Sequence, residues 1–201
     1  MTTSRAAATK AAIENVALDL ALERGYDQVT VDMICEQVGV TQRTFFNHFP
    51  TKDDALLGRD LPQIDERAAR EFIVSRGPVL IDAVSLITMP ADGGTHHRMS
   101  DRWKVIAATP TLLSKQMERL EALEGELNEI VTLRLKNQDP QRSEQELAHE
   151  AAMTNNMLNG VFRWIGSRVE LHGHAPEEFA EITEQARKVL RSVLANSTPT
   201  G

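Results

Sequence analysis

Apolar residues recur along this chain at steps of three and four and hardly anywhere in strict alternation, a pattern that predicts helices and no sheet. Ile13, Val16, Ala17, Leu20 and Ala21 make one such face, closed by Gly25 as a helix C-cap. Thr30 can N-cap a short helix to Val38, with Val31, Ile34, Cys35 and Val38 turned inward. Gly39 breaks it, Thr41 can cap a third helix to about Phe49, and Pro50 ends that one. Thr51 or Lys52 opens the next, predicted to run to about Ser75 with a bend near Pro62, followed by a helix over Pro78–Met89.

Asp92-Gly93-Gly94-Thr95 is the clearest loop. Helical periodicity resumes near Met99, breaks at Pro110, and continues through Leu113, Met117, Leu120, Leu127 and Val131 to Asp139-Pro140. Leu147, Ala151, Thr154, Leu158, Val161, Ile165 and Val169 then keep a near-heptad seam. Phe179, Ile182, Ala186, Val189 and Val193 keep another, as helices packed at shallow angles require. The expected fold is all-α, with a three-helix head, a helical body and about nine helices in total. The tail over residues 197–201 is expected to be disordered.

Composition narrows the function classes. With 201 residues, 41% hydrophobic and 25% charged, the chain can bury a core. The net charge of -7 excludes a polycation that coats nucleic acid indiscriminately. A lone cysteine, Cys35, forbids an internal disulfide and reads as a small buried hydrophobe in a cytoplasmic protein. No signal-like N-terminus and no eighteen-residue apolar run occur, so neither secretion nor a membrane span is expected.

The segment TVDMICEQVGVTQRTFFNHFPTK, Thr30 to Lys52, carries the chemistry. A short helix, a Gly turn and a second short helix make a helix-turn-helix. Gly39 permits a left-handed turn, Val38 and Val40 bracket it, and Phe45 and Phe49 anchor one face of the second helix. Gln42, Arg43, Thr44 and Asn47 project from the other face, and Arg, Gln and Asn suit paired hydrogen bonds with base edges in the major groove.

This segment resembles the TetR family of bacterial repressors. Thr30, the Val38-Gly39-Val40-Thr41 turn, Arg43-Thr44-Phe45-Phe46-Asn47-His48-Phe49 and Lys52 stand where the family pattern has its counterparts, and the Ile13–Gly25 helix matches the family's first helix. The resemblance covers about residues 9 to 57. It implies a DNA-binding domain over residues 7–67, with the helix-turn-helix at about 30–49, and a ligand-binding and dimerising body over 68–196. It also implies that Thr30, Thr41, His48 and Lys52 lie near phosphates, His48 being equally readable as a structural cap. Phe46 stands where the family more often has Tyr, so a hydroxyl contact to phosphate is lost or becomes purely van der Waals. Residues 1–52 carry five cations against six acids, which predicts weak nonspecific DNA binding.

By the same resemblance, the partners are a double-stranded DNA operator, a second copy of the chain, and a small apolar or amphipathic ligand, with no cofactor. Met99, Trp103, Met117, Asn155, Asn159 and Phe162 are candidate pocket residues, although such Met and aromatic residues are equally ordinary core. Leu158, Val161, Ile165, Val169, Ile182, Ala186, Val189 and Val193 are the candidate dimer seam. Against a ligand-responsive repressor stand two other readings: a helical dimerisation or adaptor protein with a DNA-binding-deficient head, and an enzyme. For the enzyme, His96-His97 and His172-Gly173-His174 lack further ligands, and His149-Glu150 is followed by Met153 where a zinc protease motif needs His. No catalytic or metal residue is therefore assigned.

Overall fold

The computed structural model describes residues 2–58, 63–88, 98–172 and 176–196. Ten α-helices and two short extended segments follow in order among them: α1 (Thr2–Arg24), α2 (Val31–Val38), α3 (Gln42–His48), α4 (Lys52–Leu57), β1 (Gln63–Ile64), α5 (Glu66–Val74), α6 (Val79–Ala83), β2 (Ile87–Thr88), α7 (Met99–Ala108), α8 (Pro110–Gln138), α9 (Glu144–His172) and α10 (Pro176–Asn196). Single 3-10 turns occupy Tyr26–Gln28 and Val84–Leu86. Asp92–Thr95, His96-His97, His174 and the 197–201 tail lie outside the described residues.

Two compact units form, residues 1–61 with 90–119 and residues 62–89 with 120–201. In the first unit, Ile13, Ala17, Leu18 and Ala21 of α1 pack with Val29, Ile34, Phe45, Phe49 and Ala55–Leu57. Val105, Ile106 and Leu112 complete that core from far along the chain. Burying these branched side chains contributes roughly 1.5–3 kcal/mol each before entropy is charged against it.

The predicted Lys52–Ser75 helix is two helices. Gly58 ends α4 at φ 65°, a left-handed conformation, and a Cβ there would meet the Arg102 guanidinium. α5 starts afresh at Glu66, where the Asp65 carboxylate accepts from Ala68 N–H at 2.8 Å. The predicted Pro78–Met89 helix also stops early, α6 giving way to a 3-10 turn and then to the β-branched Ile87–Thr88. Gln63 pairs antiparallel with Thr88 and Ile64 with Ile87, a two-rung ladder that the all-helical expectation did not contain.

In the second unit, Ala69, Phe72, Val84 and Ile87 pack with Leu127, Val131 and Leu135 of α8 and with α9 and α10. Arg134, fully buried there, donates to the carbonyls of Phe72 and Gly77, to Ser75 Oγ and to Asp82 at 3.1 Å, and lies over the Phe72 ring. A buried guanidinium needs such partners, and here both terminal nitrogens have them while Nε has none among the described residues.

Candidate nucleic-acid interface

Three short helices in succession open on threonine. Thr30 Oγ1 accepts from Met33 N–H at 3.3 Å, Thr41 Oγ1 from Thr44 N–H at 3.2 Å, and Thr51 Oγ1 from Asp54 N–H at 3.3 Å. Helices this short are not stable alone, so each cap and the core beneath it fix where the helix begins. Between α2 and α3, Gly39 takes the left-handed φ 77°, ψ 36° expected of it. The N–H groups of Gly39 and Val40 both return to the Cys35 carbonyl, at 2.9 and 3.0 Å.

α3 divides into two faces. Phe45 is buried, edge-on to Phe46 with centroids 5.4 Å apart and tilted to Phe49 at 5.9 Å. Lys10 of α1 lies over the Phe49 ring at 5.2 Å. Gln42, Arg43, Phe46 and Asn47 are exposed, whereas Thr44 and His48 are half-buried. Gln42 is already engaged, its amide donating to Asp32 of α2, and the Thr44 hydroxyl lies 3.0 Å from that of Thr41. Arg43 and Asn47 are therefore the exposed polar groups of the face best placed to meet base edges. The Thr30 hydroxyl, accepting from the backbone, keeps its own proton to donate elsewhere.

Lys52 has a partly internal role. Its ammonium donates to the carbonyls of Tyr26 at 3.0 Å and Val29 at 2.9 Å and stands 4.0 Å from the Tyr26 ring centre. Two of its three protons are thereby committed to the turn before α2. Next to it, the buried Asp53 receives the Tyr26 hydroxyl at 2.7 Å and the Lys115 ammonium at 2.6 Å. Burial alone would raise the Asp53 carboxyl, but hydrogen bonds from Lys115 and Tyr26, with the charges of Lys115 and Lys52, hold it below the ordinary range. Burial first, then the bond to Asp53, pushes the Tyr26 phenol up to about 12.

The acidity of the head changes meaning once its partners are placed. Glu14 is buried 3.6 Å from Arg102, Asp19 pairs with Arg98 at 2.6 Å, and Asp54 with Arg119 at 2.8 Å. All these cations come from residues 98–119 of the same unit. Counting that segment, the first unit carries 11 Lys and Arg against 12 Asp and Glu, and the second 11 against 17. Sequence reasoning missed Tyr26, Asp32, Asp53, Arg102, Lys115 and Arg119, because nothing local tells a polar side chain which residue, 10 or more positions away, packing places beside it. The run Lys52-Asp53-Asp54 behind a Thr cap was the one available signal.

The candidate pocket residues are not brought together in one unit. Trp103 and Met117 stand partly exposed in the first, Met99 begins α7 there, and Asn155, Asn159 and Phe162 lie on α9 in the second. Asn155 donates to Asn128 Oδ1 at 3.0 Å and Asn159 to Glu124 at 3.1 Å, both across to α8. An open cavity of about 450 Å³ in the first unit is lined instead by Leu22, Tyr26, Lys104, Val105 and Thr109 among others. Of the candidate dimer seam, Leu158, Ile165, Ile182 and Ala186 are buried inside the second unit and Val161 is half-buried, while Val189 and Val193 are exposed. The Val169 side chain lies outside the described residues. Among the described residues no three His, Cys, Asp or Glu gather as metal ligands, and no helix is long and apolar enough to cross a membrane.

Residues 5–57 match the family model of bacterial regulatory proteins, tetR family. The HTH-type transcriptional regulator TcmR of Streptomyces glaucescens is 33% identical over 132 residues, covering 59% of this chain and 56% of that protein. The chain thus spans about half the length of the curated relative it matches. Among solved structures, a transcriptional regulator (TerR/AcrR family) from Aquifex aeolicus VF5 aligns with a TM-score of 0.44 at 17% identity, covering 92% of this chain and 99% of that one. AmtR from Mycobacterium smegmatis aligns with a TM-score of 0.41 at 21% identity, covering 89% and 84%.

Proposed function

We propose that this chain, whose residues 5–57 match the family model of bacterial regulatory proteins, tetR family, is a cytoplasmic transcriptional regulator that reads a palindromic DNA operator as a dimer and answers to a small ligand. The observation that carries the reading is α3. Its apolar side is locked by Phe45 and Phe49, and its open side presents Arg43 and Asn47 with Gln42 and Phe46 at their flanks. A helix held by its back and open at its front can enter a major groove. Thr30, Thr41, His48 and Lys52 flank that face at helix ends and supply the groups for phosphate, and Phe46 adds a van der Waals contact. Nothing in the chain is assigned to catalysis.

For dimerisation, half of the sequence-predicted seam serves the protomer's own core. Four of the exposed apolar residues on the same two helices, Met153 and Met157 of α9 and Val189 and Val193 of α10, are the surface we assign to the second copy. For the ligand, the observation in favour is Asn155 of α9. Among the described residues nothing donates to its buried Oδ1, and a ligand hydroxyl or N–H would satisfy it. Phe162, half-buried on the same helix, supplies an apolar wall, and the ligand is taken as small and amphipathic.

Selection of duplexes from a random library by the purified protein tests the central claim. We expect one inverted-repeat sequence to be enriched, with affinity falling as salt rises. Enrichment of no sequence, with a folded protein, would favour the adaptor reading and end this one.

A further inference from the structure

The helix that follows the recognition helix is gripped on several sides. α4 is six residues long, and its two acids point to α8: Asp53 to Lys115 at 2.6 Å, Asp54 to Arg119 at 2.8 Å. Arg119 also donates to the Gly58 carbonyl at 3.2 Å, and the buried Arg102 of α7 donates to those of Leu56 at 2.6 Å and Ala55 at 3.3 Å. The C-terminal carbonyls of α4 and its N-terminal acids are thus both held by cations of residues 102–119. All the groups lie in one compact unit.

α4 is also wired to both ends of the helix-turn-helix. Only Phe49, Pro50 and Thr51 separate it from α3. Asp53 holds the Tyr26 hydroxyl, and Lys52 holds the carbonyls of Tyr26 and Val29, the latter immediately before the Thr30 cap of α2. A displacement of α4 therefore displaces the end of α3 and the start of α2 together. We propose that Lys115 and Arg119 of α8 are positioning residues for DNA recognition, a two-pair ionic latch that fixes, through Asp53 and Asp54, the angle at which α3 meets the groove. The proposal rests on the DNA-binding reading above. The Asp54–Arg119 pair is about one-third exposed on both sides, and pairs so placed contribute little to folding, whereas the Lys115 bond to the buried Asp53 stabilises the fold as well. What such a pair can do is select one orientation among several of similar energy, and recognition falls steeply with misplacement.

The test uses the duplex that the wild-type protein enriches from a random library. Arg119→Glu should lower affinity for that duplex tenfold or more, and Asp54→Lys with Arg119→Glu should recover most of the loss. Lys115→Met should lose affinity likewise, and Lys115→Arg should keep it. Far-UV circular dichroism and the thermal midpoint of each variant serve as the folding control, with the Lys115 pair standing in should Arg119→Glu unfold. The slope of affinity against salt should match wild type in Lys115→Met, whereas loss of a direct phosphate contact would flatten it by about one unit. A double variant no better than Arg119→Glu, folded variants that bind as wild type, or a flattened slope would each overturn the latch alone. A wild-type protein that enriches no duplex would remove the DNA-binding reading and the latch with it.

Discussion

At the scale of single residues, the chain's only tyrosine is its most informative reporter. Tyr26 is pushed up to about 12, by burial first, then by the bond to Asp53 and the charges of Asp53 and Asp27. Asp53→Asn removes the bond to a carboxylate and its charge but leaves the burial, so the phenol should titrate closer to 10, followed by absorbance as pH is raised. The sign for stability follows from the direction. A phenol held above its unfolded value stabilises the fold fully below pH 10, and that contribution is lost as pH rises through 12. Asp53 works the other way: held below its ordinary value, it stabilises the fold above about pH 4, and that part is lost on acidification. Arg43→Ala is the corresponding prediction for recognition. It should cost roughly 1–3 kcal/mol on the specific duplex and blur preference at one base pair. Unchanged affinity and preference would mean that the exposed face of α3 is not the reading face. Arg43 was legible from sequence because its exposure follows from the burial of Phe45 by helical period alone. Tyr26 was not, since its partner Asp53 is fixed by packing.

At the scale of elements, the short helices announced themselves because each has a local chemical start. Thr30, Thr41 and Thr51 all cap, and Gly39 turns left-handed as the sequence requires. Thr41→Ala should lower stability by about 1 kcal/mol, the ordinary loss of a helix cap, read as a shift in denaturant midpoint without a change of slope. Its Thr44 partner would leave α3 fraying at the end that carries Arg43. The elements that escaped sequence reading are those whose cause is tertiary. Gly58 carries no helix-breaking neighbour, yet the Arg102 guanidinium lies where its Cβ would be. Gly58→Ala should accordingly destabilise the protein by more than the roughly 1 kcal/mol of a left-handed residue, because Arg102 must also move. The ladder of β1 and β2 has two rungs, too short for any alternating pattern to register.

At the scale of the molecule, most of the acid excess belongs to the second unit, and net charge alone misjudges a head in which Asp19, Glu14, Asp53 and Asp54 are paired with Arg98, Arg102, Lys115 and Arg119. The last two helices pose the remaining question. Their heptad seams were visible in the sequence, but a seam does not say whether its partner is the same chain or another copy. Leu158, Ile165, Ile182 and Ala186 are already buried within the unit. Met153 and Val193, by contrast, are 58% and 55% exposed, and Met157 and Val189 are about half exposed. Large apolar side chains left open at helical spacing on two neighbouring helices are the pattern that a partner covers. Two kinds of charge insertion separate the roles. Met157→Glu or Val193→Glu should leave a folded monomer, because the new carboxylate stays in water until a partner tries to cover it. Leu158→Glu, one residue from Met157 on the same helix, should unfold the second unit, because the carboxylate has no water and no partner there. Light scattering at micromolar concentration with circular dichroism distinguishes the cases. A dimer that survives Met157→Glu and Val193→Glu together would place the contact elsewhere.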